Sequence, residues 1–166
     1  MAAPPEASKA EFFYRASEAP RPNRPIGVGV LALIERDGAL LLERRSDCGR
    51  WGLIGGGVDV EKSLEGALRR EVREETNLVV ESYELYGVLS DPSRIVRYPD
   101  GNVVRLVAFV FRTEVEGFEM LRRSDESEEL GFFGPDELPK LDVIETVRPI
   151  LESYISRDPR RGILLD

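Results

Sequence analysis

The feature that most restricts the fold of this chain is a predicted helix that turns acidic side chains toward the protein interior. Glu71, Glu74 and Glu75 occupy relative positions 0, 3 and 4, so at about 100° per residue they fall within one arc. Leu68 and Val72 of the same segment point into an overlapping arc. Carboxylates facing a core take up protons unless a cation neutralises them. Because carboxylate oxygens suit magnesium or manganese, the segment predicts one wall of a metal site.

A run of glycines, residues 55–57, precedes this helix and follows Trp51. Backbone without side chains lets a phosphate and its metal ion approach closely. The residues alone leave two plainer explanations open. The glycines could form a flexible loop, and the acids could form a solvated face, with no metal, supported by Arg69, Arg70 and Arg73. The glycines and the spaced acids in succession favour the metal site.

The composition limits the chemistry that this chain can perform. It contains no histidine, which excludes a Ser-His-Asp triad, a Cys-His pair and histidine-ligated zinc. Acid and base chemistry is therefore left to carboxylates, Lys, Tyr or metal-bound water. The net charge of −8 argues against binding of long nucleic acid, whereas metal ions could bridge a small anionic substrate to the acidic site.

The length and the cysteine count indicate the setting of the protein. Its 166 residues fit one domain, and no stretch of about eighteen apolar residues predicts a membrane span. Cys48 is the only cysteine, so no intrachain disulfide forms. Together with the lack of a secretory signal pattern, this favours a cytoplasmic protein.

The chain divides into three predicted segments. We predict an N-terminal arm over residues 1–25, a single domain over 26–156 and a loose C-terminal tail over 157–166. The arm suggests a homodimer in which it clasps a second copy. Within the domain, apolar periodicity predicts strands at 26–35, 39–45, 79–90, 102–115 and 130–133, and a short edge strand at 118–123.

Two helices are predicted between and after these strands. The first begins at the N-cap Ser63 and ends near Thr76, where Asn77 can adopt the left-handed conformation. The second runs from about Asp142 to Ile155, and Pro149 should kink it or restart it. Strands, helix, strands and helix in this order favour a mixed sheet with helices on both faces.

Residues 56–78 resemble the Nudix box, a loop-helix-loop motif written G-x5-E-x7-R-E-U-x-E-E-x-G-U with U apolar. Seven of its nine positions match: Gly56, Arg70, Glu71, Val72, Glu74, Glu75 and Leu78. Two positions depart, since Lys62 stands in place of Glu and Asn77 in place of Gly. Looser similarity extends over about residues 26–155.

The resemblance implies an α/β fold, an α/β/α sandwich with a mixed curved sheet. It also implies Mg²⁺- or Mn²⁺-dependent hydrolysis, by metal-activated water, of a pyrophosphate bond in a nucleoside diphosphate linked to another group. ADP-ribose, nucleotide sugars, dinucleoside polyphosphates and (d)NTPs all remain open as substrates. Carried over residue by residue, Glu71, Glu74, Glu75 and the carbonyl of Gly55 would be metal ligands. The resemblance further implies catalytic roles for Glu71 and Glu74, an orienting role for Arg70, and a role for Glu126 with the metal or the water.

Contacts to the substrate are harder to assign from the sequence. Six arginines could meet phosphates: Arg44, Arg45, Arg50, Arg94, Arg97 and Arg105. Of these we predict four as substrate-binding, namely Arg45, Arg50, Arg97 and Arg105, although a solvated charge is the plainer explanation for each. Tyr98 or Phe132 could stack on a base, or pack in the core.

Lys62 is the departure with the clearest consequence. A glutamate there would pair with a cation such as Arg70, which Lys62 cannot do, while Asp59 or Glu61 could substitute. Lys62 therefore supports an alternative function, a catalytically weak or inactive module with the Nudix fold that senses or binds nucleotides.

Overall fold

Nine strands form one curled, mixed sheet in the computed structural model, which describes residues 9–166. They are β1 (Glu11–Phe13), β2 (Gly27–Leu33), β3 (Glu35–Arg36), β4 (Ala39–Arg45), β5 (Trp51–Gly57), β6 (Val79–Leu89), β7 (Ile95–Arg97), β8 (Val103–Glu116) and β9 (Ser127–Phe133). The hydrogen-bonded order is β1-β7-β8-β2-β5-β4-β3, with β6 on β8 and β9 on β4. β2 and β8 are parallel, and the other pairs of strands are antiparallel.

The first helix, α1 (Leu64–Thr76), has the ends that local sequence signals predict. The Ser63 hydroxyl accepts a hydrogen bond from the Gly66 amide at 3.0 Å, which satisfies one free amide of the first turn. Asn77 ends the helix at φ 62°, so its side chain tolerates the left-handed conformation that the family motif gives to glycine.

Apolar cores lie on both faces of the sheet, which confirms the predicted α/β/α sandwich. α1 packs Leu68 and Val72 against alternate residues of β2 such as Val30 and Ala32. The second helix, α2 (Arg148–Ser156), packs its buried residues on the other face, where Leu33 belongs to the same core. The period-two alternation of β2 therefore separates the two cores.

Two predicted elements differ in the structure. The edge strand predicted at 118–123 is a 3₁₀ turn, Phe118–Met120, which follows Gly117 at φ 90°. The helix predicted from Asp142 begins instead as a 3₁₀ turn, Glu145–Val147, and becomes α2 only at Arg148. Pro149 lies in the first turn of α2, where its missing amide hydrogen costs no helical hydrogen bond.

Both flanking segments contact the sheet. β1 belongs to the predicted arm and pairs with β7, while residues 1–8 of that arm lie outside the described residues. In the tail, which was expected to be loose, the Ile163 carbonyl accepts from the Val88 amide at 2.7 Å, and the Leu165 amide donates to the Val88 carbonyl at 2.9 Å. The division into arm, domain and tail stays a prediction. Among the described residues, no helix combines the length and the apolar character needed to cross a bilayer.

Candidate active site

A cavity of about 530 Å³ opens between α1, β2, β5 and β8. One end is acidic and carries residues from the loop before α1, from α1 itself and from the loop before β9. These residues are Asp59, Arg70, Glu71, Glu74, Glu75 and Glu126. The structure thus brings every predicted acidic site residue to one cavity, and the backbone of Gly55 lines it too.

Glu75 is the most deeply placed of these acids, with 4% of its surface exposed. One carboxylate oxygen accepts a hydrogen bond from the Gly55 amide at 2.8 Å. Burial raises the pKa of Glu75 to about 9, and the nearby charge of Glu43 adds to the rise. The ionised form is therefore unfavourable in the protein alone, and a bound cation would reverse that preference.

The glycines of β5 make room for these acids. A methyl group at Gly56 would lie 2.7 Å from the carboxylate of Glu71, so any side chain there would displace it. Gly55 has φ +146°, and a Cβ there would lie 2.1 Å from the Val30 carbonyl oxygen. The flexible-loop explanation is wrong, because residues 55–57 belong to β5, and the surroundings of Gly55 and Gly56 leave no space for a side chain.

Arg70 links the helix to the glycine strand. Its guanidinium pairs with Asp59 and with Glu71, and its Nη2 donates to the Gly57 carbonyl at 2.9 Å. Asp59 therefore provides the partner that Lys62 cannot, as the sequence allowed. Burial raises the pKa of Glu71; Arg70 opposes the rise, and the charges of Glu74 and Glu126 add to it.

The acids at this end fit a hard divalent cation by their chemistry. Carboxylate and carbonyl oxygens are the donors that such ions prefer. Burial raises the pKa of Glu71 and of Glu75, and a cation bound beside them would favour their ionised forms. Within residues 9–166, no three acidic or cysteine side chains are already placed at metal-ligand spacing. The carboxylates of Glu71 and Glu75 instead engage Arg70 and the Gly55 amide.

Of the four predicted substrate-binding arginines, only Arg45 lines the cavity. Arg50 lies elsewhere because it pairs with Asp142 at 2.9 Å and with Glu145 at 2.8 Å. Arg97 pairs with Glu11 of β1, and Arg105 donates from Nη2 to the Ser90 carbonyl at 2.9 Å.

Comparison with known proteins identifies the family. The family model described as the NUDIX domain matches residues 23–154, most of the chain. This chain belongs to the Nudix family. The match includes strands β2 to β9, α1 and most of α2, and it agrees with the resemblance found in residues 56–78 alone.

This Nudix protein is similar in sequence to several individual relatives. It is 38% identical over 117 residues to an ADP-ribose pyrophosphatase of Methanocaldococcus jannaschii, covering 69% of this chain and 65% of that protein. It is 30% identical over 131 residues to the nucleoside triphosphatase NudI of Escherichia fergusonii, covering 74% and 92%. A Streptomyces ambofaciens MutT-like protein is 37% identical, with 62% of its length covered. The chain thus spans slightly under two thirds of two of these relatives.

Solved structures agree with the fold of this Nudix protein. The MutT Nudix hydrolase of Burkholderia pseudomallei is similar with a TM-score of 0.63 and 33% identity, over 78% of this chain and 98% of that one. The Nudix hydrolase of Nitrosomonas europaea gives a TM-score of 0.65 at 26% identity, over 85% and 78%.

Sequence reasoning did not select two residues that lie in or beside this Nudix site. Glu43 of β4 is 1% exposed, accepts a hydrogen bond from the Ser127 hydroxyl and has a pKa raised by burial. The sequence feature that could have indicated Glu43 is a single acidic residue that follows the apolar residues of a predicted strand. Arg94 lines the cavity near Thr146, and it was considered with other arginines but not selected.

Proposed function

We propose that this protein hydrolyses the pyrophosphate bond of a nucleoside diphosphate linked to another group, with Mg²⁺ or Mn²⁺ as cofactor. The observation that carries the proposal is the convergence of Glu71, Glu74, Glu75 and Glu126 on one cavity beside the three glycines that end β5. Support also comes from relatives named as an ADP-ribose pyrophosphatase and as a nucleoside triphosphatase.

In this proposal the acids and the Gly55 carbonyl hold the cation. When bound, a divalent ion lowers the pKa of water and neutralises charge on the phosphate oxygens. Glu71, Glu74 and Glu75 would supply the ligand oxygens from three positions of one rigid helix. Such placement favours a fixed geometry, because helix-borne ligands vary less than loop-borne ones.

Arg70 and Glu126 have separate proposed roles. Arg70 fixes the orientation of Glu71 through its ion pair, and it is itself held by Asp59 and the Gly57 carbonyl. Glu126, from the loop before β9, lines the same cavity and is exposed to solvent. We assign to it the acceptance of the proton from the attacking water, possible for a carboxylate without any histidine.

A nucleotide panel tests the proposal. Wild-type protein is incubated with ADP-ribose, nucleotide sugars, dinucleoside polyphosphates and NTPs, with Mg²⁺, Mn²⁺ or EDTA, and released phosphate groups are measured. We expect metal-dependent cleavage that Glu74→Gln lowers by about 10²- to 10⁴-fold in kcat. Glu65→Gln is the matched control, since Glu65 lies on the exposed side of the same helix and pairs with Arg69.

Lack of cleavage of every substrate with either metal would contradict the proposal. If nucleotides still bound under those conditions, the alternative of a nucleotide-binding module would stand. Lys62→Glu separates the cases further. Because Asp59 already pairs with Arg70, we expect that substitution to change turnover by less than about tenfold, whereas the alternative expects it to create turnover.

A further inference from the structure

The cavity contains a buried arginine that the proposed reaction does not use. Arg94 lines the cavity, and only 1% of its surface is exposed. Among residues 9–166 it forms no ion pair, and its Nε has no hydrogen-bond partner. A buried guanidinium left in this state costs stability, and burial accordingly lowers the pKa of Arg94 to about 10.

Arg94 comes just before β7, which lies three strands away from the glycine-containing strand β5. Its carbonyl accepts from the Leu106 amide of β8 at 2.9 Å, and Leu106 is paired with Gly27 of β2. β7, β8, β2 and β5 are successive neighbours, so three strand spacings, about 14 Å, separate the strand that follows Arg94 from the glycine strand. That span is on the order of an extended nucleoside diphosphate.

The sheet between these two ends is lined by glycines and apolar side chains. Gly27 and Gly29 of β2 share the face of their partners Leu106 and Ala108 in β8. A Cβ at Gly27 would lie 2.8 Å from a methyl group of Val104, and one at Gly29 would lie 3.3 Å from the Gly56 carbonyl oxygen. The methyl groups of Val104 and Leu106 thus occupy the space above Gly27, and the floor of the cavity is apolar here.

The surroundings of Arg94 are mainly apolar, and its own orientation is fixed. Nη2 donates to the Thr146 carbonyl at 2.9 Å and Nη1 to the Leu106 carbonyl at 3.3 Å. Phe12 and Tyr98 line the same cavity. Arg45, whose guanidinium lies over the ring of Phe12, is already paired with Asp47 at 2.7 Å.

We propose that Arg94 binds the nucleobase of the substrate and that this site prefers bases with a keto oxygen, guanine over adenine. The inference rests on the proposed function for the position of the diphosphate, at the acidic end. The apolar floor would pack against the ring, and the remaining N–H groups of Arg94 would donate to its edge.

The donor geometry of arginine explains the preference for guanine. Guanine presents two acceptors on one edge, O6 and N7, whereas adenine presents N7 beside an amino group that is itself a donor. A phosphate group fits the surroundings of Arg94 less well than a nucleobase does. Its charges would be removed from water among apolar and aromatic side chains with one cation to offset them, and that desolvation is costly.

Binding measurements test the inference without relying on turnover. The affinities of GDP, IDP and ADP for the wild-type protein are measured by isothermal titration calorimetry with Mg²⁺. We expect GDP to bind about 5- to 150-fold more tightly than ADP. IDP, which keeps O6 and N7 but lacks the 2-amino group, should bind like GDP.

Two substitutions assign the preference to the residue. Arg94→Met should bring the ratio of GDP to ADP affinity close to one. Arg112→Met is the matched control, because Arg112 of β8 pairs with Glu84 and contacts Tyr86 away from the cavity, and it should keep the ratio. If Arg94→Met does not fold, Arg94→Lys, which keeps the charge without the planar fork, should lower the ratio.

Several results would overturn the inference. These are equal affinity for ADP and GDP in the wild type, IDP that binds like ADP, a preference that survives in Arg94→Met, or no binding of any of the three nucleotides. Tighter binding of adenosine 3′,5′-bisphosphate than of GDP, dependent on Arg94, would show that the residue reads a phosphate instead. Failure of the proposed function is separate: cleavage without base preference removes only the inference, and base preference without cleavage removes only the hydrolase.

Discussion

The two helices of this protein cover opposite faces of one sheet with different kinds of residue. α1 buries Leu68 and Val72, and beside them an acid, Glu75. α2 buries Ile150, Leu151 and Tyr154, whose hydroxyl donates to Glu35 at the rim. Both helices anchor to the sheet, but only α1 places acidic groups where water is scarce.

The difference between the two helices is one of stability. The buried residues of α2 stabilise the fold, whereas the buried carboxylate of α1 destabilises it. Apolar burial on α2 contributes about 25 cal/mol for each Å² removed from water. A carboxylate in the last turn of α1 opposes the helix dipole and loses hydration. Packing alone therefore does not account for a buried acid at position 75, and the proposed binding of a cation would account for it.

Truncation of the α2 core should have the largest effect on stability. Leu151→Ala is expected to lower the free energy of unfolding by about 2–5 kcal/mol, because it removes buried methyl groups and leaves a cavity. Urea denaturation measures this, and turnover per folded molecule should change by less than about tenfold. Glu152→Ala on the exposed side of α2 is the control. A similar loss in both variants would contradict the assigned role of α2.

The opposite sign is expected for the buried acid of α1. The pKa of Glu75 in the folded protein is raised from 4.5 to about 9, so the folded state keeps a proton that the unfolded chain releases. Stability from this group is therefore present below pH 4.5 and is lost as pH rises toward 9. At pH 8.5 in EDTA, Glu75→Gln should raise the free energy of unfolding by more than about 1 kcal/mol.

The same comparison at pH 5 supplies the internal control. There Glu75→Gln should differ little from wild type, and Glu65→Gln should show no such dependence on pH, since its carboxylate is exposed and paired with Arg69. If wild type and Glu75→Gln lost stability in parallel between pH 5 and pH 8.5, Glu75 would not be the strained group.

The smallest effect is expected at the start of α1. Ser63→Ala removes the hydroxyl that caps the Gly66 amide and should cost about 1 kcal/mol. Ser156→Ala near the end of α2, where the hydroxyl donates to the Ser153 carbonyl, should stay within about 0.5 kcal/mol. Thermal melts of the two variants side by side measure both, and equal shifts would remove the distinction between the helix ends.

Local sequence signals predicted the parts of this protein that depend on neighbours in the chain. The cap at Ser63, the stop at Asn77 and the carboxylate spacing between them are properties of one short segment. The Nudix motif extended the prediction to the fold, because the family fixes the sheet around that segment. The 3₁₀ turn at Phe118 was mistaken for a strand because short apolar runs do not distinguish the two.

The arginines show where the sequence was insufficient. Arg50 meets acids 92 and 95 residues away in the chain, and this pairing keeps it from the cavity. Arg94 reaches the cavity only because β7 is paired with β8 beside β2. Composition and spacing do not encode such long-range partners, so the sequence grouped the acids of the site but did not single out Arg94.

Direct measurement of metal binding tests the central claim, that the acids of α1 are held in the cavity because a divalent cation joins them. Mn²⁺ is titrated into wild-type protein and into the double variant Glu71→Gln/Glu75→Gln, and free Mn²⁺ is followed by electron paramagnetic resonance, with and without ADP. We predict that the wild type takes up Mn²⁺, more tightly with ADP, and that the double variant loses this uptake while remaining folded. Equal uptake by both proteins, or none by the wild type, would contradict the account.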